Sequence, residues 1–194
     1  INELVEKRNK YQNNKNVYSL LLQYAAGFGK SNIIGWSALQ LKDLRKDKEF
    51  VFDKIMLVVD RVQLRDQLDT KMHNMNINKK MFIEANSKKS FLEALHSDVR
   101  IVVVNLQKFG TIKEVLDEEA INRLNSLRVA FLIDEIHRSN SGSTNEEMIS
   151  LFDELQSSFD NSKEYKTSHT KKNLIIGFTA TPSKHTLSRF GEFN

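Results

Sequence analysis

Leu20-Leu-Leu-Gln-Tyr-Ala-Ala-Gly-Phe-Gly-Lys-Ser31 decides the reading of this chain, because an apolar run stops at Gly-x-Gly-Lys-Ser and a helical pattern follows it. The order is strand, glycine loop, helix. A phosphate chain needs backbone N–H groups turned inward, and Gly27 and Gly29 can reach backbone angles that a side chain would obstruct. The helix behind them presents its positive N-terminal end to the same place. In such a loop Lys30 reaches the β- and γ-phosphates and the Ser31 hydroxyl ligates Mg2+. The full phosphate-loop pattern has a further glycine five residues before Gly29, where this chain has Tyr24, so the match covers the distal half. On its own the stretch fits an ordinary glycine turn ahead of a surface lysine equally well.

At 194 residues the chain is long enough for one sizeable domain, and one domain, residues 1–194 with a lead-in segment at 1–16, is the expectation. Hydrophobic residues at 40% and charged residues at 28% are ordinary globular values, which suggest neither a disordered chain nor a membrane protein. No apolar run approaches the ~18 residues of a membrane span, and Ile1-Asn-Glu-Leu-Val-Glu6 does not resemble a signal peptide. The absence of cysteine excludes a disulfide framework and a thiolate metal site, and it fits a cytoplasmic protein. A net charge of +4 and a pI near 9.2 permit nucleic-acid binding without requiring it. The ends of the chain fall in mid-pattern, so it reads as a piece of a longer one.

The apolar run Val17 to Gln23 is a buried strand by pattern, and Ile33, Ile34, Trp36, Ala38, Leu39, Leu41 and Leu44 then recur at helical spacing up to the charged stretch Arg45 to Glu49. Lys54 to Val59 is a second strand, followed by a helix marked by Val62, Leu64, Leu68 and Met72. A short strand at Met81 to Glu84, a serine-started helix at Ser87 to Leu95 and a strand at Ile101 to Val104 come next. Asp117 to Leu127 reads as a helix, Val129 to Ile133 as a strand, Asn145 to Phe159 as an amphipathic helix, Asp160 to Lys172 as a polar loop and Leu174 to Phe178 as the last strand. Strands alternating with helices, several of them apolar throughout, call for an α/β fold: a mostly parallel sheet with helices on both faces. Ligands in such sheets bind beyond the carboxyl ends of the strands.

Two further motifs fall at strand ends. Asp134-Glu135-Ile136-His137 directly follows the strand at Val129 to Ile133, so both carboxylates emerge at its carboxyl edge. A lone Asp-Glu there is usually a solvated turn, but an Mg·ATP site needs carboxylates where the glycine loop opens. Asp134 can then hold the metal while Glu135 accepts a proton from the attacking water. His137 can report the state of the γ-phosphate, or be an ordinary structural histidine. Thr179-Ala-Thr-Pro182 follows the last strand; it reads as a turn stopped by Pro182, or, beside the other two motifs, as hydroxyls linking the ATP site to a DNA-binding surface.

AGFGKS, DEIH and TATP, in this order and spacing, resemble motifs I, II and III of superfamily 2 helicases and translocases. The resemblance implies the first of two RecA-like domains that share one ATPase site. Phe52 to Leu64 with Asp60, Arg61 and Gln67, Val103 to Phe109, and Phe178 to Leu187 are similar to segments of the restriction (R) subunit of type I restriction–modification enzymes. The implied nucleotide-binding residues are Ala26, Gly27, Phe28, Gly29, Lys30, Ser31 and Asn32, with Ser31 and Asp134 on Mg2+. Lys30, Asp134, Glu135 and His137 are implied as catalytic, and Thr179 and Thr181 as coupling residues. Arg61, Gln107, Lys108 and Thr111 are the implied DNA contacts, for which a solvated surface is the plainer reading of Arg61 and Lys108. The implied partners are double-stranded DNA, the second RecA-like domain, which supplies an arginine finger, and the methylation and specificity subunits.

Phe28 stands where the family has a small residue, and Ile136 where DEAH has alanine. Gln12 and Gln23 are candidates by type for contact with adenine. Glu164-Tyr-Lys166 spells a nuclease motif, but no strand precedes it in the polar loop, so the nuclease domain is expected elsewhere. No aromatic platform for stacked bases is evident, which favours a motor that follows the phosphate backbone. The same three motifs also fit an RNA helicase, a type III restriction motor or a non-catalytic nucleotide-binding module.

Overall fold

The computed structural model describes residues 17–25, 27–59, 81–105, 118–136 and 173–182. The lead-in segment, the helices expected from Val62 and from Asn145, the loop at 160–172, Gln12 and Glu164 to Lys166 lie outside the described residues. Strand β1 spans Val17–Gln23 and is followed, past the glycine loop, by helix α1, Lys30–Asp43. Ile34, Ala38 and Leu41 form the buried stripe of α1, at the i, i+4, i+7 spacing of one helix face. Trp36 belongs to the same apolar series but is 52% exposed, because two residues past Ile34 is about 200° around a helix.

The charged stretch after α1 is a hairpin, β2 (Arg45–Lys46) and β3 (Glu49–Phe50), which apolar periodicity did not signal. Its two-residue loop, Asp47 and Lys48, has φ of 51° and 71°, the double positive φ of a turn whose twist suits a hairpin. The guanidinium groups of Arg45 and Arg100 lie 3.6 and 3.5 Å from the centre of the Phe50 ring, so the exposed hairpin is held by cation–π contacts.

The remaining elements are β4 (Lys54–Val59), β5 (Phe82–Ala85), α2 (Lys88–His96), β6 (Ile101–Asn105), α3 (Glu118–Asn125), β7 (Val129–Asp134) and β8 (Asn173–Thr179). Helix α2 starts at a capping box in which Ser87 Oγ accepts from Ser90 N and Ser90 Oγ accepts from Ser87 N. The six longer strands form one parallel sheet in the order β1-β8-β7-β4-β6-β5.

Every residue of β4, β6, β7 and β8 is buried, because the sheet is covered on both faces. Alternate residues divide between two cores. Ile55, Leu57, Ala130, Leu132, Ile176 and Phe178 pack with α1, while Met56, Val58, Phe131, Ile133 and Ile175 pack with α2 and α3. Each large side chain so buried contributes about 1.5–3 kcal/mol of transfer free energy.

The amino-terminal edge of the sheet is held by side chains that satisfy main-chain groups. Arg128 grips Asp53 with a fork, Nε to Oδ2 at 3.1 Å and Nη2 to Oδ1 at 2.8 Å, and this ties the start of β7 to the start of β4. Burial raises the Asp53 carboxyl, but the Arg128 hydrogen bonds and charge outweigh it and hold the group below its ordinary value. Asn173 Oδ1 accepts from Val129 N at 2.7 Å, joining β8 to β7.

Lys54 is 4% exposed, and its ammonium donates to the carbonyls of Ala94 at 2.8 Å and Val99 at 2.7 Å and to that of Ser97, closing the end of α2. Burial first, and the Arg123 charge second, push its pKa down to about 8. Lys54→Met removes the ammonium from all three carbonyls, of which that of Ala94 keeps the Ser97 hydroxyl at 2.9 Å, and is expected to lower unfolding stability at pH 7 by about 3 kcal/mol in urea titration. In the unmodified chain the unfolded state binds the extra proton between pH 8 and about 10.4, so stability from this group rises with pH across that window. The variant should lack that rise.

Candidate functional site

Because all six strands are parallel, their carboxyl ends share one edge. The buried polar side chains there are Asn105 at the end of β6, Asp134 at the end of β7 and Thr179 at the end of β8. The glycine loop leaves β1 on the same edge. Strand order brings loop and carboxylates together: β8 alone separates β1 from β7, so a long side chain from the start of α1 can cross to Asp134.

Gly27 has φ 83° and Gly29 φ 76°, in the region that disfavours side chains. A Cβ on Gly27 would meet nothing within 4 Å and one on Gly29 only Asn32 Nδ2 at 3.6 Å, so backbone angle, not space, requires glycine here. Gly29 caps α1 without a side-chain hydrogen bond; its carbonyl accepts from Asn32 N at 2.8 Å and Ile33 N at 3.2 Å. The N–H groups ahead of those bonds have no intrahelical acceptor, which is the arrangement that receives anions. Ser31 is buried at the start of α1 and Asn32 half-buried, while Phe28 is 77% exposed at the loop tip.

Tyr24 occupies the place of the missing glycine for a packing reason. Its N–H donates to Thr179 O at 2.8 Å, and its ring stacks on Phe178 with centroids 6.4 Å apart. Gln23 is exposed at the end of β1.

Lys30 Nζ lies 3.0 Å from Asp134 Oδ1 and donates a hydrogen bond to Glu135 Oε1. The side chains are 13%, 3% and 20% exposed for Lys30, Asp134 and Glu135. Burial raises the Asp134 carboxyl above its ordinary value, and the Lys30 charge works against that rise. Glu135 has φ 51°, a left-handed backbone that costs about 1 kcal/mol or more in a non-glycine residue. The next residue holds the turn: Ile136 N donates to Phe178 O at 3.2 Å.

The Ile136 side chain is 2% exposed and sits over Gly177, where a Cβ would come within 2.8 Å of its Cδ1 and 3.0 Å of its Cγ2. Isoleucine in the alanine place of DEAH is thus matched by glycine in the neighbouring strand. Local pattern does not show this pairing, since the two residues are far apart in the chain.

Thr179 is fully buried and its Oγ1 accepts from Thr181 N at 3.2 Å, while Thr181 is exposed. Ala26, Arg61, Gln107, Lys108, Thr111 and His137 lie outside the described residues. Among the described residues no three His, Cys, Asp or Glu side chains cluster to hold a metal by themselves. A carboxylate at the end of β7 and a hydroxyl at the start of α1 are donor types that suit Mg2+, which takes most of its remaining ligands from water and phosphate.

A six-stranded parallel sheet with helices on both faces and a glycine loop at its carboxyl edge is the architecture of a RecA-like helicase domain. The chain aligns with the UvsW helicase from bacteriophage T4 at a TM-score of 0.50 and 14% identity, covering 92% of this chain and 50% of that one. It aligns with the Hef helicase domain of Pyrococcus furiosus at a TM-score of 0.48 and 17% identity, covering 91% of this chain and 32% of that one. The chain therefore spans half or less of the solved helicases it matches. Comparison with curated proteins gave no match. The family described as type III restriction enzyme, res subunit, matches residues 1–184, and the chain belongs to that family. No helix among the described residues is long and apolar enough to cross a membrane.

The Ile136–Gly177 fit is open to a double-mutant cycle. Gly177→Ala is expected to cost about 1–3 kcal/mol in urea unfolding by overpacking. Ile136→Ala alone should cost about 2–5 kcal/mol by leaving a cavity. Together they should cost clearly less than their sum; simple additivity would mean that the two side chains do not compete for the same space.

Proposed function

We propose that this chain is the ATP-binding half of a DNA translocase motor in a restriction enzyme. The observation that carries the proposal is the meeting of Lys30 with Asp134 and Glu135 at the mouth of a glycine loop. When bound, Mg·ATP would supply the phosphoanhydride bond and a metal that polarises its oxygens. The chain's own residues do the rest. The loop from Ala26 to Gly29 and the first N–H groups of α1, with Asn32 behind them, would cradle the phosphates. Lys30 would neutralise the β- and γ-oxygens, Ser31 and Asp134 would hold the metal, and Glu135 would accept a proton from the attacking water.

Thr179 and Thr181 would pass the state of the site to a DNA surface carrying Arg61, Gln107, Lys108 and Thr111, with His137 sensing the γ-phosphate. A second RecA-like domain would complete both the site and the track on double-stranded DNA.

For the finer assignment we propose the R subunit of a type I enzyme, working with methylation and specificity subunits. The segments 52–64, 103–109 and 178–187 support it. The type III motor is the second reading, favoured by the description of the matching family. A nuclease motif upstream of this motor in the parent chain would favour the first.

Glu135→Gln in the intact protein should leave Mg·ATP affinity near that of the parent, read by titration with a fluorescent ATP analogue. Single-turnover hydrolysis should fall by about 10²–10⁴, because an amide keeps the shape but takes no proton. Near-normal turnover would move the base role to another residue.

The 194-residue chain by itself should show little DNA-stimulated phosphate release beside a chain extended through the next motor domain. An arginine finger from that domain is worth about 10³–10⁵ in rate in related phosphate chemistry. Equal turnover by the two would place the whole active site within these residues.

A further inference from the structure

The ammonium of Lys30 has two claims on it. In the structure it pairs with Asp134 and Glu135, yet the function proposed above asks it to meet phosphate oxygens and asks the same Asp134 to hold a divalent cation. The two carboxylates are carried by consecutive residues, and Asp134 has almost no contact with water, its side chain being 3% exposed. A carboxylate as dry as that of Asp134 needs a cation close by, since it is poorly hydrated and has a second negative group on the next residue.

We propose that Lys30 and the divalent cation are alternative partners of the Asp134–Glu135 pair, so that the protein carries its own substitute for the metal. The inference rests on the Mg·ATP reading of the site. Lys30 is the first residue of α1, and a lysine is a compact charge on a flexible four-carbon stem. Its ammonium can therefore leave the carboxylates without any movement of the helix. Metal arriving alone meets an ammonium already on its ligands. Phosphate arriving alone draws that ammonium away from the buried Asp134 carboxylate. Arriving together, each removes the obstacle to the other, so phosphate chain and metal bind with positive coupling, and the coupling is reciprocal.

The test is Mn2+ binding, followed by the electron paramagnetic resonance signal of free Mn2+, in the intact protein without nucleotide. Lys30→Gln, which keeps most of the stem, and Lys30→Ala should both bind Mn2+ about tenfold or more tightly than the parent, since a neighbouring positive charge has gone. Lys30→Arg, which keeps the charge, should bind it as weakly as the parent. Adding Asp134→Asn to Lys30→Gln should abolish the gain, which assigns it to this site. Circular dichroism of each variant reports that it is folded. Equal Mn2+ affinity in the parent and in both neutral variants would overturn the inference, as would a gain that survives Asp134→Asn. Titration of the parent with a fluorescent ATP analogue and Mn2+ separates the two levels of failure. Binding there without any gain in the neutral variants overturns this inference alone, and no binding there overturns the nucleotide reading with it.

Discussion

The Lys30 ammonium between the carboxylates of Asp134 and Glu135 is the interaction on which the carboxyl edge of this sheet depends. Of these two negative groups on neighbouring residues, Asp134 is almost wholly buried, and a carboxylate taken out of water in this way needs a cation beside it. Removing the cation from such a group typically costs about 3–5 kcal/mol, which is why the lysine and the carboxylates must be read as one unit. Three separate pieces of chain have to be placed for the unit to form. The glycine loop must turn β1 into α1, β7 must end in a turn that carries Glu135 at a positive φ, and β8 must be the strand that lies between them.

The two edges of the sheet are built on different principles. At the amino edge the polar side chains close main-chain groups: Lys54 on the end of α2, Asn173 on Val129, and Arg128 on Asp53. Arg100 adds bonds to the carbonyls of Lys42 and Phe52. These side chains are spent on main-chain groups and on one another. The carboxyl edge holds left-handed backbone, freely adopted at Gly27 and Gly29 but costly at Glu135, and a charge cluster between them. The backbone of Glu135 persists in that region only where the surrounding structure over-determines it. The fully buried strands and the clamped opposite edge provide that rigidity.

The departures from the superfamily pattern have unequal explanations. Tyr24, in place of a glycine, packs on Phe178 and bonds to the end of β8, so the loop begins from an anchored residue. Ile136, in place of alanine, fills the notch that Gly177 leaves. Both substitutions attach a motif to β8, the strand that carries Thr179. Phe28 projects from the loop tip, and nothing among the described residues explains it by packing.

Local pattern was enough for most of the described elements. Runs such as Lys54 to Val59 and Val129 to Ile133 are strands because β-branched and apolar residues of that length suit a sheet covered on both faces. Ser87 begins a helix because its hydroxyl can take a free N–H. The hairpin at Arg45 to Phe50 escaped the same reading, because its turn residues, Asp47 and Lys48, are not the glycine and asparagine that announce positive φ, and its strands are mostly charged. The α/β class, the glycine loop and the acidic pair at a strand end were likewise legible in the sequence, because each is a property of neighbouring residues. Strand order was not. Only the tertiary structure inserted β7 and β8 between β1 and β4, and with that order came the reach of Lys30 to Asp134, the stacking of Tyr24 on Phe178 and the seating of Ile136 over Gly177. Those contacts join residues up to 154 positions apart, and which of several equally apolar strands lie side by side is decided by crossover connections and shared packing, to which local periodicity is blind.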